Sequence, residues 1–294
     1  MRVIDPALYP FKSHYFDRGA ELRMHYLDEG GDAPPVLMVH GNPSWSFYYR
    51  NLVQALSGTH RCIVPDHIGM GLSDKPDDSD YSYTLAQRID DLGALIESLN
   101  LSQPITLVVH DWGGMIGLGW AVRHPQRIAR IVILNTAAFP LPRDKAFPGA
   151  LRFTRSALGA FLVRGFNAFS WGATVVGCKR NPMPPEIARA YQAPYDNWHN
   201  RIATLRFVQD IPLDSGDSGY ALVEDVASKL HQFQNTPALI AWGAKDFVFD
   251  DAFLREWYNY LPQAKVYRVP DAGHYVLEDA ADEVIPMIVD FIRT

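Results

Sequence analysis

A chain of 294 residues with 48% hydrophobic content is long enough to bury a large core as one α/β unit, with room for an inserted subdomain. Its net charge of −6 gives no general attraction to nucleic acid. Neither of its two cysteines, Cys62 and Cys178, has a CxxC or metal-ligand neighbourhood, so both are expected to be buried as small apolar residues, with no metal and no cofactor.

Met-Arg-Val-Ile-Asp-Pro at the N-terminus lacks the apolar core of a signal peptide, and a cytoplasmic location is the default expectation. In chain order, Arg23 to Leu27 and Val36 to Val39 read as strands, Trp45 to Leu56 as a helix, Cys62 to Val64 as a strand and Leu85 to Leu99 as an amphipathic helix. Ile105 to Val109 is the next strand, Gly114 to Arg123 a helix, and Ile131 to Leu134 a further strand. Continuous apolar strands alternating with helices predict a mostly parallel sheet covered on both faces.

From Pro140 to about Leu230 strand signals vanish, aromatic residues are frequent, and prolines punctuate the chain. The α/β rhythm resumes with a strand at Ala238 to Trp242, a helix at Asp251 to Tyr260, a strand at Lys265 to Val269 and a last helix from about Asp282 to Ile292. The expected organisation is therefore a core of residues 1–139 and 231–294 with a helical cap, residues 140–230, over the carboxyl ends of the strands, where open α/β sheets bind ligands. Ala157 to Cys178 has the length of a membrane span, but Arg164, Asn167 and four glycines argue for a segment inside the fold and against a transmembrane helix. Between Arg143 and Arg206 Lys and Arg outnumber Asp and Glu, opposite to the whole chain, which is either a set of solvated faces or a surface for an anionic substrate, product or partner.

The chemistry concentrates at strand ends. Val-Val-His-Asp-Trp-Gly-Gly at 108 to 114 ends a strand at an acid and opens a helix with small residues, the pattern of a strand-to-helix nucleophile elbow, with Gly113 allowing the close approach. The apex is Asp111 rather than a hydroxyl, which excludes serine-esterase chemistry. A carboxylate is already ionised at neutral pH and can attack an alkyl carbon directly to form an ester. Three more strand-end segments join it: His40-Gly41-Asn42-Pro43, Trp242-Gly243-Ala244-Lys245-Asp246 and Asp271-Ala272-Gly273-His274. Nucleophile, acid and histidine then follow in the order Asp111, Asp246, His274, with His274 as base and Asp246 fixing its tautomer. Asp250 and Asp251 read as helix caps, and Asn135 cannot serve as an acid. Asn42 and Trp112 supply an amide and an indole N–H for a departing anion, and their backbone N–H groups can hold an oxyanion.

The segments at 40–47 (HGNPSWSF), 65–76 (PDHIGMGLSDKP) and 110–114 (HDWGG), with those around Asp246 and His274, resemble the haloalkane dehalogenase family of α/β-hydrolases over essentially the whole chain. The resemblance implies an α/β-hydrolase fold, Asp111 as nucleophile, Asn42 and Trp112 as the anion-holding pair, His274 as base and Asp246 as acid, an arrangement similar to the third subgroup of that family. Residues 193–213 (APYDNWHNRIATLRFVQDIPL), Asp246 to Phe249 and Gly273 to Glu278 are similar to the β-lactone decarboxylases of bacterial long-chain olefin biosynthesis. That likeness implies conversion of cis-3-alkyl-4-alkyl β-lactones to cis-alkenes and CO2, a hydrophobic small-molecule substrate, and assembly with a β-lactone synthetase and a reductase.

Haloalkane hydrolysis through an alkyl-aspartyl ester is the alternative, since a strained lactone and a haloalkane pose the same problem of displacing an anion in an apolar pocket. An epoxide hydrolase would need two cap tyrosines, for which Tyr191 and Tyr195 are the candidates. A non-catalytic binding protein of the same fold would be expected to have lost part of the triad.

Overall fold

A computed structural model describes residues 4–19 and 21–294; Met1 to Val3, part of the N-terminal stretch read above, lie outside them. Among the described residues eight strands are formed: β1 (His14–Gly19), β2 (Leu22–Glu29), β3 (Pro35–Val39), β4 (Arg61–Pro65), β5 (Ile105–Asp111), β6 (Ile128–Thr136), β7 (Ala238–Gly243) and β8 (Lys265–Val269). They make one sheet in the order β1-β2-β4-β3-β5-β6-β7-β8. β2 pairs antiparallel with β1 and with β4, and every other pairing is parallel.

The central strands are apolar along their whole length because both faces are covered. Leu37, Val39, Leu107 and Val109 pack into one core and Val36, Met38 and Val108 into the other, the two-residue alternation of a pleated strand. At the open edge, β8 (KVYRV) exposes Lys265, Tyr267 and Arg268, charges that discourage pairing with another sheet. β1 escaped the sequence reading because its burial alternates through a polar run, HYFDRG, with no apolar stretch to mark it.

Helices α1 (Arg50–Leu56), α2 (Leu85–Ser98) and α3 (Trp112–Ala121) belong to the first half of the chain. The helix expected from Trp45 begins as a 3-10 turn over Ser46–Tyr49, and α3 starts two residues before the expected Gly114. Between β6 and β7 the chain is helical: α4 (Gly149–Thr154), α5 (Ala157–Phe166), α6 (Ala168–Val176), α7 (Pro185–Gln192), α8 (Ile202–Gln209) and α9 (Tyr220–Lys229). Then come α10 (Asp251–Tyr260) after β7, and α11 (Val276–Asp279) and α12 (Ala281–Arg293) after β8.

The apolar stretch from Ala157 is two helices broken at Asn167, whose φ of 56° lies in the left-handed region that asparagine tolerates. Among the described residues no helix is long and apolar enough to cross a membrane. Cys62 and Cys178 are free and buried, and burial pushes the Cys62 thiol up to about 12, so neither is poised for redox chemistry.

Candidate active site

β5 delivers Asp111 to the top of the sheet in a conformation, φ 51° and ψ −128°, that a non-glycine residue adopts only under constraint. The constraint is visible around it. A Cβ at Gly113 would overlap the Val39 carbonyl, one at Gly114 the Thr136 side chain, and one at Gly41 the Asp111 carboxylate itself. The sequence reading identified Gly113; Gly41 and Gly114 are equally required. Thr136 ties the elbow to β6 by donating its hydroxyl to the Asp111 carbonyl.

The two carboxylate oxygens of Asp111 have different tasks. Oδ1 accepts from the Asn42 backbone N–H at 2.6 Å, and the Trp112 backbone N–H also supports the carboxylate. Oδ2 lies 3.7 Å from Nε2 of His274. On the far side of that ring, Nδ1 sits 2.7 Å from Asp246 Oδ2. Asp246 is itself fixed, accepting from Val248 N at 2.8 Å and from the Asn135 amide at 3.1 Å. Asn135, set aside above as unable to act as an acid, is thus a clamp: its amide also donates to the Gly243 and Phe249 carbonyls and accepts from Gly243 N.

Burial pushes Asp111 above the usual carboxylate range, and the neighbouring His274 with the two backbone donors offsets only part of this. For His274, burial alone would favour the neutral ring. The Asp246 charge and hydrogen bond, with the Asp111 charge, outweigh it and raise its proton affinity above that of a free imidazole. The His274 ring thus lies between two carboxylates, and their charges favour its protonated form. Behind it, His110 donates Nε2–H to the His274 carbonyl at 2.9 Å, and burial holds its ring neutral.

Asn42 and Trp112 both line the cavity beside Asp111. The Asn42 amide donates one N–H to the Thr204 carbonyl at 3.0 Å, which orients the group and leaves its second N–H available. The Trp112 indole packs edge to face against Phe207, with ring centroids 5.2 Å apart. The loop that carries Asn42 contains a cis Asn42–Pro43 bond and rests on Asp66, which accepts from Ser46 N at 2.6 Å, Leu72 N at 2.8 Å and His25 Nδ1 at 2.8 Å. Asp66 was legible only as part of the PDHIGMGLSDKP run; nothing in its spacing marked it as the brace beneath Asn42.

Above the carboxylate lies a cavity of about 460 Å3 whose walls are almost wholly apolar, with Phe139, Leu162, Phe169, Val176 and Phe249 among them. Tyr191 and Tyr195 do not line it. Tyr191 donates to Glu278 at 2.6 Å, and Tyr195 is buried against Ser44 and Met70, so the paired donors that epoxide opening needs are missing. The arginines between 143 and 206 are largely engaged within the fold: Arg206 with Asp78, Arg180 with Asp271 and Glu283, Arg201 and Arg155 with backbone carbonyls.

Residues 34–281 match the family model of the α/β-hydrolase fold, and the chain belongs to that family of enzymes. It is 60% identical to the cis-3-alkyl-4-alkyloxetan-2-one decarboxylase of Shewanella oneidensis over 97% of this chain and 89% of that one. It is 51% identical to the decarboxylase of the same name from Xanthomonas campestris, over 97% of each chain. Haloalkane dehalogenases are more distant relatives. The crystal structure of the haloalkane dehalogenase DatA from Agrobacterium tumefaciens superposes with a TM-score of 0.85 at 25% identity, covering 98% of this chain and 99% of that one.

Proposed function

We propose that the protein decarboxylates cis-3-alkyl-4-alkyl β-lactones (oxetan-2-ones) to cis-alkenes and CO2, with Asp111 as nucleophile. The observation that carries this reading is the 60% identity to a decarboxylase of that substrate class over 97% of the chain. The site is suited to the chemistry.

Asp111 Oδ2 attacks ring carbon C4 from the face opposite the ring oxygen, forming an alkyl-aspartyl ester and releasing the lactone carboxyl as a carboxylate. The Asn42 amide and the Trp112 indole N–H receive that anion. Backside attack inverts C4 and leaves the new C4–O bond antiperiplanar to the C2–C3 bond. The C2–C3 electron pair then becomes the C3–C4 π bond, the C4–O bond breaks toward Asp111, and CO2 departs. Inversion followed by anti elimination converts a cis-lactone into a cis-alkene and regenerates the Asp111 carboxylate with no water consumed and no proton moved.

In this cycle His274 acts as a charge rather than as a base. Its imidazolium, fixed by Asp246, keeps Asp111 ionised in a buried site, and while protonated it does not activate water against the ester. The apolar cavity takes the alkyl chains.

The same reading makes residues 140–230 a cap subdomain over a core of 1–139 and 231–294. It also places the enzyme in the cytoplasm, in olefin biosynthesis, where a β-lactone synthetase supplies its substrate and a reductase belongs to the same assembly. Offering the purified protein a long-chain cis-β-lactone and, separately, a 1-bromoalkane tests the proposal, with alkene read by gas chromatography and free bromide by a colorimetric assay. Alkene formed in many turnovers, with bromide released far more slowly, is expected; bromide without alkene would overturn it.

A further inference from the structure

Arg88, on the inner face of α2, has a fully buried side chain. Its Nη1 donates to Asp210 Oδ2 at 2.8 Å, while Nε and Nη2 are buried with no hydrogen-bond partner among the described residues. Two unpaired donors on a buried guanidinium are costly unless something else stabilises the charge. Here the cation lies against two aromatic rings: its Cζ is 3.8 Å from the centroid of Phe207 and 5.4 Å from that of Trp112. Those rings meet edge to face at 5.2 Å. Trp112 in turn lines the cavity beside the Asp111 carboxylate, and Arg88 does not.

We propose that Arg88 is a positioning residue for the departing anion, a cation held behind Trp112 that acts through the indole. It rests on the assignment of Trp112 as anion donor in the reaction above. A positive charge over the π face draws electron density from the ring and makes Nε1–H a stronger donor. It also adds a favourable potential where the lactone carboxylate appears, undiminished by water because the guanidinium is dry. Packing against Phe207 and the guanidinium restrains the indole rotamer, so its N–H is already aimed when charge develops. Asp210, at the end of α8, holds the guanidinium from the side of the helical segment between β6 and β7.

A purely structural ion pair would make Arg88 and Asp210 equivalent; an anion support makes them opposite. The test is bromide binding, read by fluorescence quenching at constant ionic strength with Trp112→Phe as blank, in the wild type, Arg88→Met, Arg88→Lys and Asp210→Asn. Alkene kcat and KM and thermal melting are measured beside it. Arg88→Met is expected to weaken bromide binding about tenfold and to lower kcat more than it raises KM, Arg88→Lys to recover part of both, and Asp210→Asn to bind bromide as tightly as the wild type or more so despite its lower melting temperature. Should Arg88→Met fail to fold, the contrast between Arg88→Lys and Asp210→Asn carries the test. Equal weakening by Arg88→Met and Asp210→Asn, unchanged binding in Arg88→Met, or no bromide binding by the wild type would overturn the inference. Arg88-dependent bromide binding in a wild type that makes no alkene would strike the decarboxylase reading and leave the inference standing.

Discussion

The floor and the walls of the cavity are built on opposite principles. At the floor, Asp111, His274, Asp246, Asn135 and Asp66 are each held by two or more directed contacts, at or just beyond the carboxyl ends of β4 to β8. The walls from the helical segment between β6 and β7 present side chains such as Leu162, Phe169 and Val176, which make no directed bond to a ligand. The difference teaches where chemistry and selection reside. Charge placement tolerates little displacement, whereas an apolar wall discriminates only by volume, at about 1–3 kcal/mol per methylene.

The contrast can be broken most severely at the nucleophile. Asp111→Ala is expected to cut alkene formation by at least about 10^4-fold while leaving the fold intact, checked by turnover and circular dichroism. If that variant keeps its rate, the floor is not the reactive part.

Next in size is the brace. Burial opposes ionisation of Asp66, yet hydrogen bonds and charge from His25, with His40 and the Leu72 N–H, hold it down to about 2. Because the folded value lies below the ordinary one near 3.8, the stabilisation is present above that ordinary value and is lost as pH falls through about 2. Asp66→Ala is expected to cost about 3–5 kcal/mol in urea unfolding at neutral pH, since it strands His25 and two backbone donors. Asp66→Asn should flatten the acid limb of the stability curve.

His274 sharpens the comparison by separating two chemistries on one floor. With a 1-bromoalkane, His274→Phe should accumulate an alkyl adduct on Asp111, visible in the intact mass, because no base remains to hydrolyse it. With the β-lactone no adduct should persist, and alkene formation should fall by about tenfold to a hundredfold, reflecting loss of charge support alone. In the wild type, alkene formation should decline as pH drops through the raised Asp111 value. Any hydrolytic side reaction should grow as pH rises through the raised His274 value, the reverse dependence.

The smallest effect belongs to the wall. Gly172 lines the cavity with open space where a Cβ would stand, so Gly172→Leu on α6 should fit without strain. It is expected to lower kcat/KM for the longest lactones by roughly tenfold and to leave short ones nearly unchanged, measured across a chain-length series.

The same division governs what could be read from the sequence. Asp111, Asp246, His274, Asn42 and Trp112 lie at or beside strand ends with local signals, an apolar run stopping at a polar residue, and the structure brings Asn42, Asp111, Trp112 and His274 to one cavity, with Asp246 behind the His274 ring. The parallel strands were legible for the same reason. Asn135, Asp66, His110 and Arg88 act through partners many residues away, and each reads locally as an ordinary polar residue in a strand, loop or amphipathic helix. β1 was missed because a half-buried edge ribbon carries no apolar run. Tyr191 and Tyr195 show the converse: their residue type suggested a site that their burial against Glu278 and Ser44 forbids.

The central claim is that Asp111 is alkylated at C4 and released by decarboxylation rather than by water. Many turnovers of cis-β-lactone in water enriched in oxygen-18, followed by mass measurement of the Asp111 peptide, address it directly. The account predicts abundant cis-alkene with Asp111 unlabelled, while a 1-bromoalkane hydrolysed under the same conditions would label it. Oxygen-18 entering Asp111 in step with alkene formation would contradict it.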